Sequence, residues 1–136
     1  MLRGRGNRLR AGGGSSPTFA VGTLDFNGNV TDLDTITIGA TVYRYVTVLA
    51  LAYDILIGGT ASQTIANSVA AVNGAAGEGT VYGTGTDAHP DVTASTVPGD
   101  MIATAKVAGA AGNLIATLST SLTATWGAAT LQGGGG

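Results

Sequence analysis

The chain has 136 residues, of which 44% are hydrophobic and 10% are charged, and it contains no cysteine. This length suits one domain with its own core. Without cysteine neither a disulfide framework nor a thiolate zinc site can form, so stability must come from packing or oligomerisation. Charged residues usually make up about 25% of a chain. A surface so poor in charge favours a component of an assembly over a free cytosolic enzyme, with a low-charge extracellular β domain as the alternative.

The basic residues are concentrated at the start of the chain. Residues 1–16 contain four arginines followed by a Gly-Ser run, whereas the remainder has two cations and eight acids, a net charge of −6. We therefore expect residues 1–16 to be a flexible basic arm that engages an acidic partner. Its candidate partner-binding residues are Arg3, Arg5, Arg8, Leu9 and Arg10.

The arm has three interpretations. It binds nucleic acid through phosphates, lies along an acidic protein surface through Arg–carboxylate pairs, or is a solvated tail. The acidic remainder of the chain would be repelled by phosphates, which favours the protein partner over nucleic acid. The arginines are not followed by the apolar run of a secretory signal. The longest apolar stretch, residues 46–57, is shorter than the roughly 20 residues that span a bilayer, so we expect no membrane partner.

The first elements read as strands. Alternation over Ala20, Gly22, Leu24 and Phe26 predicts a half-buried strand, and residues 27–29 (NGN) predict a turn. Further strands at 35–38 and 41–49 complete a β-meander. In the last of these, the alternation places valines on one face and tyrosines on the other, namely Val42, Val46 and Val48 against Tyr43 and Tyr45.

A helix is predicted at about 60–73. Thr60 and Gln63 have capping-box spacing, and Asn73-Gly74 supplies a left-handed stop. The apolar period predicts a buried stripe of Ile65, Val69 and Val72 and an outward face of Gln63, Asn67 and Asn73.

The second half is predicted to be mostly strands. Residues 75–90 lack a period and indicate a long ordered loop, which we expect to pack between the subunits of a homotrimer. Strands are expected at 91–96 and 101–107 around a Pro-Gly turn, and at 114–118, 121–126 and 128–132. The fold class is then α+β, an antiparallel β-sheet meander with one main helix packed on it. The organisation is an arm (1–16), one domain (17–132) and a glycine tail (133–136) expected to be mobile.

Candidate catalytic and metal-binding residues are few. His89 is the single histidine and precedes a proline, so we interpret it as structural. Asp25, Asp32 and Asp34 offer oxygen ligands for calcium, but their spacing matches no EF-hand loop and aspartates also bond their own backbone in turns. The glycines of residues 74–85 follow a helix, whereas a phosphate loop precedes one.

No enzymatic activity is expected. The chain has no Gly-x-Ser-x-Gly motif. A carboxylate pair for glycoside hydrolysis is not excluded by spacing, although aromatic residues that line sugar sites are scarce. We assign no catalytic residue, no metal and no cofactor.

Several segments together resemble a module that recurs in virion proteins of tailed bacteriophages and, more loosely, in flagellin insertion domains. The matching segments are 34–39 (DTITIG), Tyr43 and Tyr45, 56–61 (LIGGTA), 65–74 (IANSVAAVNG), 93–95 (TAS), 104–113 (TAKVAGAAGN) and 125–131 (TWGAATL). The resemblance covers about residues 18–133.

The resemblance implies a structural virion protein without an active site. Modules of this size that stand alone imply a capsid decoration (cement) protein, a homotrimer located on the capsid surface, with the major capsid protein as partner. The alternative is a tail-fibre or surface module that binds a receptor or glycan, because the same module occurs in longer tail fibres. The arginine arm is not part of the resemblance.

Overall fold

The computed structural model describes residues 16–136 of the chain. The predicted arm residues Arg3, Arg5, Arg8, Leu9 and Arg10 lie outside this range. The described elements are β1 (Val21–Phe26), β2 (Thr35–Ile38), β3 (Thr41–Val46), β4 (Asp54–Leu56), α1 (Ala61–Asn73), β5 (Val92–Val97), β6 (Asp100–Ala105), a 3-10 helix (Ala110–Leu114), β7 (Thr117–Ser119) and β8 (Ala124–Trp126). The predicted α+β class is confirmed.

The strands form two sheets. Sheet A has the order β5-β6-β1-β8 and sheet B the order β4-β3-β2-β7, with only β3 and β4 parallel among these pairs. The predicted meander therefore needs a correction, since β1 pairs with β6 and β8 and not with β2. The connection between β1 and β2 crosses from one sheet to the other, and the Asn29 side chain holds it by donating to the Gly58 carbonyl at 2.7 Å.

One hydrophobic core lies between the sheets. Phe26 of sheet A meets Tyr45 of sheet B edge to face, with ring centroids 6.4 Å apart. The predicted alternation in β3 is confirmed in part. Tyr43 and Tyr45 are fully buried while Val42 is 53% exposed, but Val46, predicted on the same face as Val42, is only 3% exposed. Large flat rings thus fill the space between the sheets.

The helix matches its prediction closely. Thr60 is the N-cap and accepts from the Gln63 amide at 3.1 Å, and Gly74 ends the helix at φ 62°. The reciprocal half of the capping box is not formed, because the Gln63 side chain donates instead to Asn67 Oδ1 at 3.0 Å. The predicted turn at Pro98-Gly99 is also confirmed, since β5 and β6 form a hairpin around it.

The buried face of α1 differs in part from the predicted stripe. Ile65 and Val72 are buried as predicted, whereas Val69 is only half-buried. The prediction that Asn67 faces outward is wrong: Asn67 is 3% exposed, and its side chain donates to the Leu56 carbonyl at 2.9 Å. A polar side chain can be buried at this position because β4 presents a carbonyl group that needs a hydrogen-bond donor.

The sheet edges are covered. On the outer edge of β5, the Asn73 side chain donates to the Ala94 carbonyl and accepts from the Ala94 amide, both at 2.8 Å. The edge of β4 is paired with residues 81–83, through bonds such as Leu56 N to Val81 O at 3.0 Å. The edges of β7 and β8 meet each other, where Trp126 Nε1 donates to the Leu118 carbonyl at 3.0 Å.

The last residues are bonded to the body. The Thr18 amide donates to the Gly135 carbonyl at 2.9 Å, and the Asn113 side chain both donates to and accepts from Gly134 at 2.9 Å. These bonds contradict the expectation of a mobile glycine tail. Glycine is needed here because a Cβ at Gly134 would lie 2.3 Å from the Gly109 carbonyl oxygen. The predicted strand at 128–132 forms only isolated bridges.

Candidate attachment surface

The single histidine is engaged at both ring nitrogens. His89 is 1% exposed; its Nε2 lies 2.8 Å from the Ile38 carbonyl, and its Nδ1 accepts from the Asp91 amide at 3.0 Å. This pattern assigns the proton to Nε2, as a carbonyl can only accept. The ring joins the β2–β3 turn to the start of β5. The geometry supports the structural interpretation of His89.

The aspartates considered for calcium are used by the backbone. Asp34 Oδ2 accepts from the Thr31 amide at 2.9 Å, and Asp32 Oδ1 accepts from the Thr47 amide at 3.0 Å. Asp25 lies apart from them in β1. Within residues 16–136 no group of three or more His, Asp or Glu side chains is arranged to hold a metal ion. The described part of the chain also has no helix long and apolar enough to cross a bilayer.

A buried ion pair organises the loop that follows β3. Asp54 is 1% exposed and takes two bonds from the Arg44 guanidinium, at 2.9 and 3.0 Å. Its Oδ2 also accepts from the amides of Ala50 and Leu51 at 2.9 and 2.8 Å. Burial raises the pKa of Asp54, but the Arg44 and amide hydrogen bonds outweigh it and leave the pKa below its usual value. The carboxylate therefore holds the loop in one conformation.

The loop before β2 presents a leucine in an unfavourable conformation. Leu33 has φ 76°, a left-handed value that costs a bulky residue about 1–2 kcal/mol. The turn around it is held by its amide to the Tyr45 carbonyl at 2.7 Å and by the Asp34 amide to the Thr31 carbonyl at 3.0 Å. The side chain gains no burial in return, because it is 60% exposed.

The two loops lie side by side at one end of sheet B. The hydrogen bond from the Thr47 amide to Asp32 joins the two loops. Leu33 follows Asp32 and Val48 follows Thr47, and both side chains are exposed. Leu51, on the loop held by Asp54, is 61% exposed and Val48 is 76% exposed. We call Leu33, Val48 and Leu51 the apolar end. Rigid, exposed apolar side chains on a hydrogen-bonded frame are suited to contact another protein surface.

Two shallow grooves elsewhere adjoin sheet B. One of about 450 Å³ is at the opposite end of sheet B, where the Gly39 turn meets Lys106, Val107 and Leu114. The other, of about 300 Å³, lies between β7 and β8 and contains the half-buried Trp126. Neither groove brings together a nucleophile and a base.

The candidate surface consists of residues that the sequence analysis did not select. The predicted arm residues lie outside the described range, and no sequence pattern pointed to Leu33, Val48 or Leu51. One signal was present, since Asp32 and Asp34 flank Leu33 and aspartates favour turns. Comparison of the chain with protein-family models, curated proteins and solved structures finds no match.

Proposed function

We propose that this protein is a non-enzymatic structural component of a virion, a capsid decoration protein that binds the major capsid protein through the apolar end. The observation that carries the proposal is the strained, exposed Leu33. Strain in a backbone persists only where the surroundings over-determine it, and such positions cluster at functional sites. Here the strained residue presents an apolar side chain to solvent, and burial of that side chain does not offset the strain.

The charge pattern supports a protein partner. Asp54, the buried carboxylate that holds the Leu51 loop, is already paired with Arg44, so a partner need not supply a counter-charge. Exposed apolar groups on a frame that is already rigid lose little conformational entropy on binding. The proposed partner surface is therefore apolar where it meets these residues, and the basic arm adds contacts with acidic groups around it.

The first test separates binding from stability. Leu33→Asn should raise the melting temperature slightly, because asparagine tolerates positive φ, and should weaken binding to particles. A leucine with only a structural role would not give this opposite pair of changes. Leu114→Asn is the matched control, since Leu114 is 81% exposed at the other end of sheet B. If Leu33→Asn particles are decorated as fully as wild type, the proposal is wrong.

The second test locates the protein. Many copies covering the shell, arranged as trimers, are expected in a reconstruction of the source particle. A few copies at the tail would instead indicate the alternative, a receptor- or glycan-binding tail module.

One observation favours that alternative. Trp126 lies beside hydroxyl groups in the groove between β7 and β8, whose lining includes Thr117, Ser119 and Thr125. An aromatic ring among hydroxyls is a surface on which a sugar can stack and form hydrogen bonds. Titration with host-surface oligosaccharides, followed by Trp126 fluorescence, tests it. No change in fluorescence would exclude a sugar site at this groove.

A further inference from the structure

The outer face of sheet A has no covering element among residues 16–136. The helix packs on the other side of this sheet, where Ala94 and Met101 are buried with Val72 in the core. The strand register places the outward side chains in three rows, Thr93-Thr104-Val21, Ser95-Ile102-Thr23 and Val97-Asp100-Asp25. Within these three rows, the charged side chains are the two carboxylates of the last row.

These two carboxylates oppose each other without a cation. Asp25 and Asp100 are direct cross-strand partners. A side-chain hydrogen bond that protonated Asp100 donates to Asp25 raises the pKa of Asp100, and burial and the Asp25 charge add to the effect. The single ion pair within the described residues is Arg44 with Asp54, so neither Asp25 nor Asp100 has a cationic partner there. Like charges directly opposite each other destabilise a sheet unless something compensates them.

The basic arm is joined to the same sheet. It ends at residue 16, and β1, which carries Asp25, begins at Val21. Residues 12–16 are Gly-Gly-Gly-Ser-Ser, a composition that permits a reversal of chain direction. Asp25 lies nine residues after Ser16, about 30 Å away at about 3.3 Å per residue. Arg5 and Arg3 lie eleven and thirteen residues before Ser16 and span about 36 and 43 Å at the same rise, so these two arginines can reach the acidic row.

We propose that in the free protein the arm, residues 1–10, docks on the outer face of sheet A of its own chain, with Arg3 and Arg5 at Asp25 and Asp100. The positive arm complements these two carboxylates, and Val21, 43% exposed, offers apolar surface to Leu9. A short covalent connection gives a millimolar effective concentration, so weak contacts are sufficient. This inference goes beyond the proposed attachment function and does not depend on it.

The test compares amide NMR spectra of the full chain with those of a variant of equal length. The variant carries Arg3→Gln, Arg5→Gln, Arg8→Gln and Arg10→Gln together. At low salt we expect shift differences at Thr23, Asp25, Asp100 and Ile102, and their loss near 1 M salt, where the Debye length is about 3 Å. Thr37 and Leu118, on the outer face of sheet B, serve as the control and should not differ.

A second variant keeps the arm and changes the sheet. Asp25→Asn with Asp100→Asn should abolish the effect of the arginine substitutions at Thr23 and Ile102. Differences that are absent, that map to sheet B, or that grow with protein concentration would overturn the proposal, the last because it would indicate the arm of a second copy. Particle binding is not part of the measurement, so its outcome is separate from that of the attachment proposal.

Discussion

Two buried tyrosines on one strand show how differently a hydroxyl can be accommodated. The Tyr45 hydroxyl lies 2.8 Å from Ser68 Oγ, whose own hydrogen goes to the Thr64 carbonyl. The Tyr43 hydroxyl is buried and has no hydrogen-bond partner among the described residues. Burial raises the pKa of both phenols. The same chemical group thus stabilises the core at one position and carries an uncompensated desolvation cost at the other.

The matched substitutions should therefore have opposite effects. Tyr45→Phe should lower the free energy of unfolding by about 1 kcal/mol, the usual net value of a buried hydrogen bond. Tyr43→Phe should leave it unchanged or raise it, because no bond is lost and a polar group leaves the core. Chemical denaturation of the two variants measures both. A loss at Tyr43→Phe as large as at Tyr45→Phe would mean that the Tyr43 hydroxyl has a partner.

The Asp54 carboxylate should link stability to pH. Its folded-state pKa is lowered, so its contribution is complete above the ordinary value of 3.8 and is lost as the pH falls through the lower folded value. Asp54→Asn should cost about 1.5–3 kcal/mol at neutral pH, because it removes charge-assisted bonds. The difference between variant and wild type should shrink in acid. An equal difference at pH 7 and at pH 2 would contradict the ion-pair account.

At the scale of elements, side-chain amides replace backbone pairing. Asn73 is the last residue of α1, and its amide group occupies the position of a neighbouring strand beside Ala94. The helix is thereby attached to the edge of sheet A. Asn73 thus ends α1 and also covers part of the edge of β5.

Asn73→Asp and Asn73→Ala test this attachment. Alanine leaves both Ala94 backbone groups without a partner, and aspartate keeps the acceptor but places it against a carbonyl. Either should cost about 1–3 kcal/mol. Hydrogen exchange at the Ala94 amide should quicken markedly with alanine and less with aspartate. Unchanged exchange with alanine would show that the edge is held by other contacts.

The effect of substitutions in the helix should depend on the burial of each residue in the structure and not on the stripe predicted from the sequence. Val72→Asp should unfold the domain, since an unpaired carboxylate at a fully buried position costs several kcal/mol against a total stability of about 5–15. Val69→Asp should lower the melting temperature less, because Val69 is half-buried. Thermal unfolding ranks the two, and the reverse order would show that the helix face is assigned wrongly.

Local signals explain which elements were predictable. The helix follows from Thr60, the apolar period and Gly74, all of which act within a few residues. The division into two sheets depends on contacts such as Asn29 with Gly58, which no local pattern contains. Asn67 was placed outward on polarity alone, and its acceptor lies on a different element. The basic arm is visible in composition, whereas Leu33 is notable only for its backbone angle.

At the scale of the whole molecule, the acidic character of the body should limit its stability. The raised pKa of Asp100 means that ionisation of the Asp25–Asp100 pair destabilises the fold as the pH rises through the carboxyl range. In the variant whose four arm arginines are changed to glutamine, Asp100→Asn should therefore raise the melting temperature at pH 7, with the gain disappearing well below pH 3.8. A lower melting temperature at pH 7 would show that the carboxylate has a stabilising partner.

The covered sheet edges matter where many copies of the protein are packed closely together. Open strand edges of neighbouring molecules pair with one another and grow into fibres, most readily where molecules are crowded. Here Asn73, the segment at residues 81–83 and the contact between β7 and β8 occupy these positions. Copies crowded side by side would therefore not join through their strand edges, and any contact between them would have to use other surfaces.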